Sequence, residues 1–191
     1  MARTARRDGA QTRRAVLDAA RALAGELGWE QVTMRRIAER IGLSPMAAYK
    51  HFASREAILL ELLREGFALL ERAMLTAAAG HDDPVSALYA SADAYLDFAE
   101  QHRDLYLVMY DLGGVHLPAA ETWREGTAIG QVVADLLTRI GRPADALGNE
   151  VLGLWSTLHG AIALDAAGRL PAGTATVRRL AHAHVDAQLA T

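Results

Sequence analysis

Residues 33–52 read TMRRIAERIGLSPMAAYKHF. Thr33 carries a hydroxyl that can cap a helix, and Val32 at N′ with Ile37 at N4 forms a hydrophobic staple across that start. The periodic pattern stops at Ile41-Gly42-Leu43, where glycine supplies a turn. Ser44 offers a second cap, and Pro45 follows at the first helical position, where its missing N–H has no helical partner to lose. Phe52 closes this second, shorter helix. Two short helices joined by a tight turn predict a helix-turn-helix, whose second helix enters the DNA major groove. That groove is about 12 Å wide and accepts one helix. Small Ala47 and Ala48 let the helix approach base edges, while Ser44, Tyr49, Lys50 and His51 offer groups that hold phosphates. Lys50 is the only lysine beside 19 arginines. A compact, flexible charge suits reaching a phosphate or a guanine edge from the end of a crowded helix.

Charge around this stretch points the same way. Residues 1–60 carry eleven Arg and Lys against six Asp and Glu, whereas residues 61–191 carry nine against seventeen. A basic amino-terminal third, with Arg3, Arg6, Arg7, Arg13 and Arg14 crowded at one end, predicts a polyanion partner. The acidic remainder reads as an ordinary solvated surface. Cysteine is absent, which removes disulfides and thiolate chemistry and suits a reducing cytoplasm. No apolar run approaches the roughly 18 residues of a membrane span, so no membrane partner is expected. MARTARRDGA has positive charge but no apolar stretch behind it, and is not expected to act as a secretory signal.

Outward from the motif the chain reads as helix throughout. Val16, Leu17, Ala20, Leu23, Ala24 and Leu27 share one face of a helix over 11–27, with Gly28 placed as a left-handed C′ residue and Trp29 folding back. Ser54 caps a long helix running through REAILLELLREGFALLERAMLTAAA. Asp83-Pro84 opens a helix to about His102, a short segment covers 103–111, and Pro118 opens a helix ending near Ile140. Pro143 opens another that ends at Gly168, and Thr174 caps the last. No strand pair or hairpin signal is present. The expected fold is all-α with about nine helices. Residues 1–9 form a flexible basic arm, 10–58 the helix-turn-helix domain, and 59–191 a larger helical domain.

TMRRIAERIGLSPMAAYKHFASREAILLELL resembles the DNA-binding domain of the TetR (tetracycline repressor-like) family over about residues 10–58. The resemblance implies that Thr33 meets phosphate, that Ser44, Tyr49 and His51 hold phosphates around the recognition helix, and that Met46, Ala47 and Lys50 face bases or backbone. Arg55, where the family usually has lysine, is implied to contact phosphate, and Arg35 on the first motif helix joins this set. Pro45 and Met46 depart from the small or polar residues usual in the family, which bears on base preference. The implied function is that of a transcriptional regulator, most often a repressor, that binds an operator in double-stranded DNA.

The carboxy-terminal two thirds carries LYLVMYDLGG and LWSTLHGAIALDAAGRL, which are similar to a TetR subgroup named for a Trp, a His and a Gly, here Trp155, His159 and Gly160. That likeness implies a small-molecule-sensing and dimerisation domain. The residues add their own reading. Over 143–168 one apolar stripe is Leu147, Val151, Leu154, Leu158 and Ala161, and a second is Leu152, Trp155, His159, Ile162 and Ala166. A helix apolar nearly all round must pack on both faces. With Val177, Leu180, Ala181, His184 and Val185 on the last helix, it predicts a four-helix interface of a two-fold homodimer. Val151, Leu154, Leu158, Val177, Leu180, Ala181 and His184 are the candidate interface residues. Phe98, Tyr106, Met109, Tyr110, Trp123, Trp155 and His159 are the candidate lining of a site for an apolar or aromatic effector, although such side chains also build ordinary cores. His182 and His184, two apart, point to different sides of a helix and make a poor metal pair.

No cofactor or metal is expected. HExxH, P-loop and GxGxxG patterns are absent, as is a nucleophile with a neighbouring base, which weighs against a small helical enzyme. A pure dimerisation module would leave the basic helix-turn-helix unexplained. A family-like activator, or a regulator without a small-molecule effector, stays open.

Overall fold

The computed structural model describes residues 9–112, 114–171 and 173–190, with the backbone alone for residues 119–123. Nine α-helices and one 3-10 turn make up its regular structure, with no strand among the described residues. They are α1 (Gly9–Leu27), a 3-10 turn (Trp29–Gln31), α2 (Met34–Arg40), α3 (Pro45–Tyr49), α4 (Arg55–Ala79), α5 (Pro84–Gln101), α6 (Arg103–Met109), α7 (Ala119–Ile140), α8 (Leu147–Ala166) and α9 (Gly173–Leu189). Of the expected basic arm, residues 1–8 lie outside the described residues. No described helix is long and apolar enough to cross a membrane.

Two compact units result. The first takes the described residues within Met1–Gly66 and Asp104–Thr122, the second Phe67–Arg103 and the described residues of Trp123–Thr191. The units do not follow chain order, because the segment that begins α6 joins the amino-terminal helices. Four observations explain that placement. Asp104 pairs with Arg21 of α1 at 2.5 and 3.2 Å. The Trp29 indole N–H donates to the Asp104 carbonyl at 2.9 Å. Met109 packs so closely on Gly66 that a Cβ there would lie 2.5 Å from its sulfur. Gly114, with φ of +78°, similarly lies under the Glu30 side chain.

The first unit's core is built by Val16, Ala20 and Leu23 of α1, Trp29 and Val32, Ile37 and Ala38 of α2, Ala48 and Phe52, and Ile58, Leu59, Leu62 and Leu63 of α4. In the second unit α8 and α9 pack as an antiparallel pair. Leu154, Leu158 and Ala161 of α8 and Val177, Ala181 and Val185 of α9 are all buried. Across their seam Thr157 Oγ1 donates to the Gly153 carbonyl (3.0 Å) and so accepts from His184 Nδ1 (3.1 Å). The opposite side of α9 is polar and meets α5. Tyr89 hydroxyl bonds Asp186, His182 reaches Asp93 at 2.9 Å, and Arg178 spans Asp93 and Asp97, each at 2.5 Å. His182 and His184 therefore do point apart, one to α5 and one to α8.

Local start signals coincide with the helix starts at some elements and not at others. Thr33, Ser44 and Asp83 each accept from the amide three residues on, at 3.3, 3.2 and 2.8 Å, and Ser54 does the same for Ala57 at 3.2 Å. Pro143 does not open α8. It starts a turn, closed by the Ala146 amide on its carbonyl (3.0 Å), and the helix begins at Leu147. Thr174 does not cap α9, which already begins at Gly173. Gly28 has positive φ, but with ψ of 155° it extends the chain rather than continuing the helix turn.

Candidate nucleic-acid interface

The turn between α2 and α3 is a complete Schellman motif. The Leu43 amide donates to the Ala38 carbonyl (2.9 Å) and the Gly42 amide to the Glu39 carbonyl (3.2 Å), with Gly42 at φ +70°. No atom lies within 4 Å of where a Gly42 Cβ would stand. The penalty for a side chain here is therefore purely conformational. Gly42→Ala is expected to lower stability by about 1–2 kcal/mol, read as a drop in urea midpoint at unchanged slope; an unchanged midpoint would refute the turn assignment.

This turn presents α3 with a defined inward and outward side. Ala48 is fully buried and packs into the head, so its smallness serves helix packing and not approach to bases, a correction to the expectation above. Ala47 is half-buried. Pro45, Met46, Tyr49 and Lys50 point outward, Met46 with 74% and Tyr49 with 48% of its surface exposed. The Thr33 and Ser44 hydroxyls sit at the helix starts as caps. Arg35 is exposed and pairs with Glu39 one turn on, at 2.8 Å, which raises its pKa.

The chain end of α3 is tied down by residues that the sequence did not single out for this role. Arg13 of α1 donates to the His51 carbonyl (2.8 Å), pairs with Glu61 of α4 (2.9 Å) and lies over the Phe52 ring at 4.0 Å. Arg14 pairs with Glu65 and Asp18. Part of the basic crowd is thus neutralised within the head and brackets α1 against α4. Arg55 is turned inward in the same manner. Its Nε donates to the Val32 carbonyl (2.9 Å) and its Nη2 to the Trp29 carbonyl (2.7 Å), so these donors are taken by backbone, where a phosphate contact was expected.

The residues expected around an effector divide between the units. Tyr106, Met109 and Tyr110 belong to the first, with Tyr106 and Met109 buried and the two tyrosine rings 4.7 Å apart. Phe98, Trp155 and His159 belong to the second. Phe98 is buried beside His102, and Trp155 stacks on His159 at 5.5 Å. Burial holds the His159 pKa below the usual imidazole value. The Trp123 side chain lies outside the described ones. A cavity of about 280 Å³ in the second unit is lined by other residues, among them Leu96, Ala99, Ile162 and Val177 with Glu100 and Asp165 at its polar side.

Of the expected interface residues, Leu154, Leu158, Val177 and Ala181 are buried within the chain, Val151 and His184 are half-buried, and Leu180 is exposed. The first stripe of α8 is filled by α9 and the chain's own core. The second stripe is less covered: Leu152 is exposed beside half-buried Trp155 and His159. Among the described residues no group of three or more His, Cys, Asp or Glu could hold a metal.

An all-helical chain whose first unit presents a capped, outward-facing second helix after a Schellman turn is a helix-turn-helix protein. Two family descriptions match it: "Bacterial regulatory proteins, tetR family" over residues 16–62 and "Tetracyclin repressor-like, C-terminal domain" over residues 88–188. The chain belongs to the TetR family of transcriptional regulators. An uncharacterized HTH-type transcriptional regulator of Haemophilus influenzae is 27% identical over 100 residues, 52% of this chain and 49% of the relative. The chain thus spans about half the length of that relative. A solved protein of unknown function from Rhodococcus sp. RHA1 is 28% identical, with a TM-score of 0.80 over 99% of this chain and 98% of that one. Thermus thermophilus FadR, a TetR family repressor solved with lauroyl-CoA, shares the fold at 19% identity and a TM-score of 0.65, over 91% of this chain and 92% of its own.

Proposed function

We propose that this protein is a cytoplasmic, ligand-responsive repressor that binds a palindromic operator as a homodimer and is released by a small apolar or aromatic effector. The observation that carries the reading is the short α3, capped by Ser44 and held from behind by Arg13 and Ala48 while Met46, Tyr49 and Lys50 face out. In this reading residues 10–58 read DNA. Thr33, Arg35, Ser44, Tyr49 and His51 meet phosphates, Met46, Ala47 and Lys50 lie at base edges, and Arg55 orients the head. Residues 59–191 bind the effector and dimerise.

Two copies pair through the less covered stripe of α8 and the exposed side of α9 around Leu180. Their two reading helices then engage half-sites about one helical turn, roughly 34–36 Å, apart. FadR of the same fold holds an acyl-CoA, which supports an effector with a substantial apolar part. Phe98, Trp123, Trp155 and His159 of the second unit and, as a separate set, Tyr106, Met109 and Tyr110 of the first are the positions to probe for it. Helix α4 begins in the first unit and ends in the second, so a ligand that favours one setting of α4 alters the reading heads.

A coupling of about 1–3 kcal/mol weakens operator binding about 5- to 150-fold. Linkage requires the operator to weaken effector binding by the same factor. An effector found by thermal-shift screening, titrated with and without operator, is expected to give two affinities that differ by that ratio. Equal affinities would leave a DNA-binding dimer without a switch. Failure to shift any duplex at low salt would remove the DNA reading itself.

A further inference from the structure

The amino-terminal end of a recognition helix is the part that meets base edges, and on α3 that end has an unusual surface. Its residues are Ser44, Pro45, Met46 and Ala47. The Ser44 hydroxyl accepts the Ala47 amide as the helix cap. The side chains of Pro45 and Ala47 carry no hydrogen-bonding group. Met46 stands 74% exposed, the most exposed of the large apolar side chains in the described chain. The hydrogen-bonding side chains of this surface, Tyr49 and Lys50, lie at the other end of the helix. A long, flexible thioether held in water at this point has no packing role within the head. The major groove offers one apolar feature, the C5 methyl of thymine; its other readable features are hydrogen-bond donors and acceptors.

We infer that Met46 is a specificity-determining residue that reads the C5 methyl of a thymine in each operator half-site. The inference rests on the DNA-reading role of α3 proposed above and adds to it the base and the atom that are read. Methionine fits the task because three rotatable bonds and a polarizable sulfur let it follow an irregular apolar surface. The contact removes a methyl and a thioether from water together without a hydrogen bond. Lys50, at the opposite end of α3, is left to read phosphate or guanine.

The test separates the inference from the reading beneath it. The full chain is used to select a duplex from a random pool, and each thymine of the selected operator is replaced in turn by deoxyuridine, which deletes the methyl and keeps every Watson–Crick and groove hydrogen-bonding group. At one thymine per half-site the replacement is expected to weaken binding about fourfold, and about 15-fold when both half-sites are changed, the worth of one buried carbon each. Met46→Ala is expected to bind the thymine and uracil duplexes within twofold of each other, while Met46→Leu keeps the preference for thymine. The readout is a ratio, so a general loss of affinity in a variant does not disturb it, and the exposure of Met46 keeps the substitution out of the core. If the parent ignores uracil at every position, or if Met46→Ala retains the full ratio, the assignment of Met46 is overturned while DNA binding stands. If no sequence is enriched at all, the reading of α3 falls, and the assignment of Met46 falls with it.

Discussion

Leu154→Glu is expected to unfold the chain, whereas Leu152→Glu is expected to leave it folded and monomeric. The two positions are neighbours on α8, two residues apart, and both are leucine. Leu154 is 1% exposed and lies in the stripe that α9 fills from the same chain. A carboxylate there loses its hydration with no partner, a penalty of several kcal/mol. Added to the lost apolar burial, it consumes most of a total stability of about 5–15 kcal/mol. Leu152 is 47% exposed, so a charge costs the isolated subunit almost nothing. In a two-fold dimer the same side chain meets its own copy or a near neighbour, and two like charges enter an apolar seam together. Leu180, 42% exposed on α9, should behave like Leu152 if the proposed pairing holds, and the double substitution should also be a folded monomer. Circular dichroism reads the folded fraction and light scattering the mass. A folded dimer carrying both Leu152→Glu and Leu180→Glu would place the interface elsewhere.

That pair of leucines also marks where the sequence stopped being informative. Both stripes of α8 are visible in the sequence as periodicity. Nothing in the pattern says which stripe the chain covers by itself, because a partner's leucine and the chain's own leucine leave the same signature. Leu154, Leu158, Val177 and Ala181 carry the pattern of partner contacts but are buried within the chain itself. The helix starts at Thr33, Ser44, Ser54 and Asp83 were legible because a cap and its amide lie three residues apart. The starts near Pro143 and Thr174 misled for the converse reason. Pro143 begins a turn that runs directly into α8, so a proline start signal falls one turn ahead of the helix itself. The ties behind the reading head were illegible, since Arg13 bonds a carbonyl 38 residues away and Arg21 a carboxylate 83 residues away. Arginines in a basic tail look alike until their partners are in place.

Replacing Arg55 is expected to weaken binding to every DNA sequence without changing how steeply that binding depends on salt. A phosphate contact would give the opposite slope behaviour. Each phosphate charge neutralised contributes about one unit to the salt slope, so loss of such a contact flattens it by about one per subunit. The structure assigns the Arg55 donors to the carbonyls of Trp29 and Val32, at the turn that feeds α2. Trp29 continues the chain of bonds through its indole to the Asp104 carbonyl, and Asp104 holds Arg21. The first residue of α4 is thus fixed to the start of the helix-turn-helix through a guanidinium that bridges two backbone oxygens. Hydrogen bonds from a charged donor contribute about 1.5–3 kcal/mol each, so Arg55→Ala should lower stability by about 3 kcal/mol or more. Binding should fall with it as the head loses its fixed setting on α4. Arg55→Lys separates the two roles. Lysine keeps the charge that a phosphate needs, but its compact ammonium lacks the rigid fork that spans two separated carbonyls. Lysine should therefore fail to restore either stability or affinity. If Arg55→Lys restores binding while Arg55→Ala flattens the salt slope, Arg55 is a phosphate contact after all. In that event the bonds to Trp29 and Val32 give way when DNA arrives.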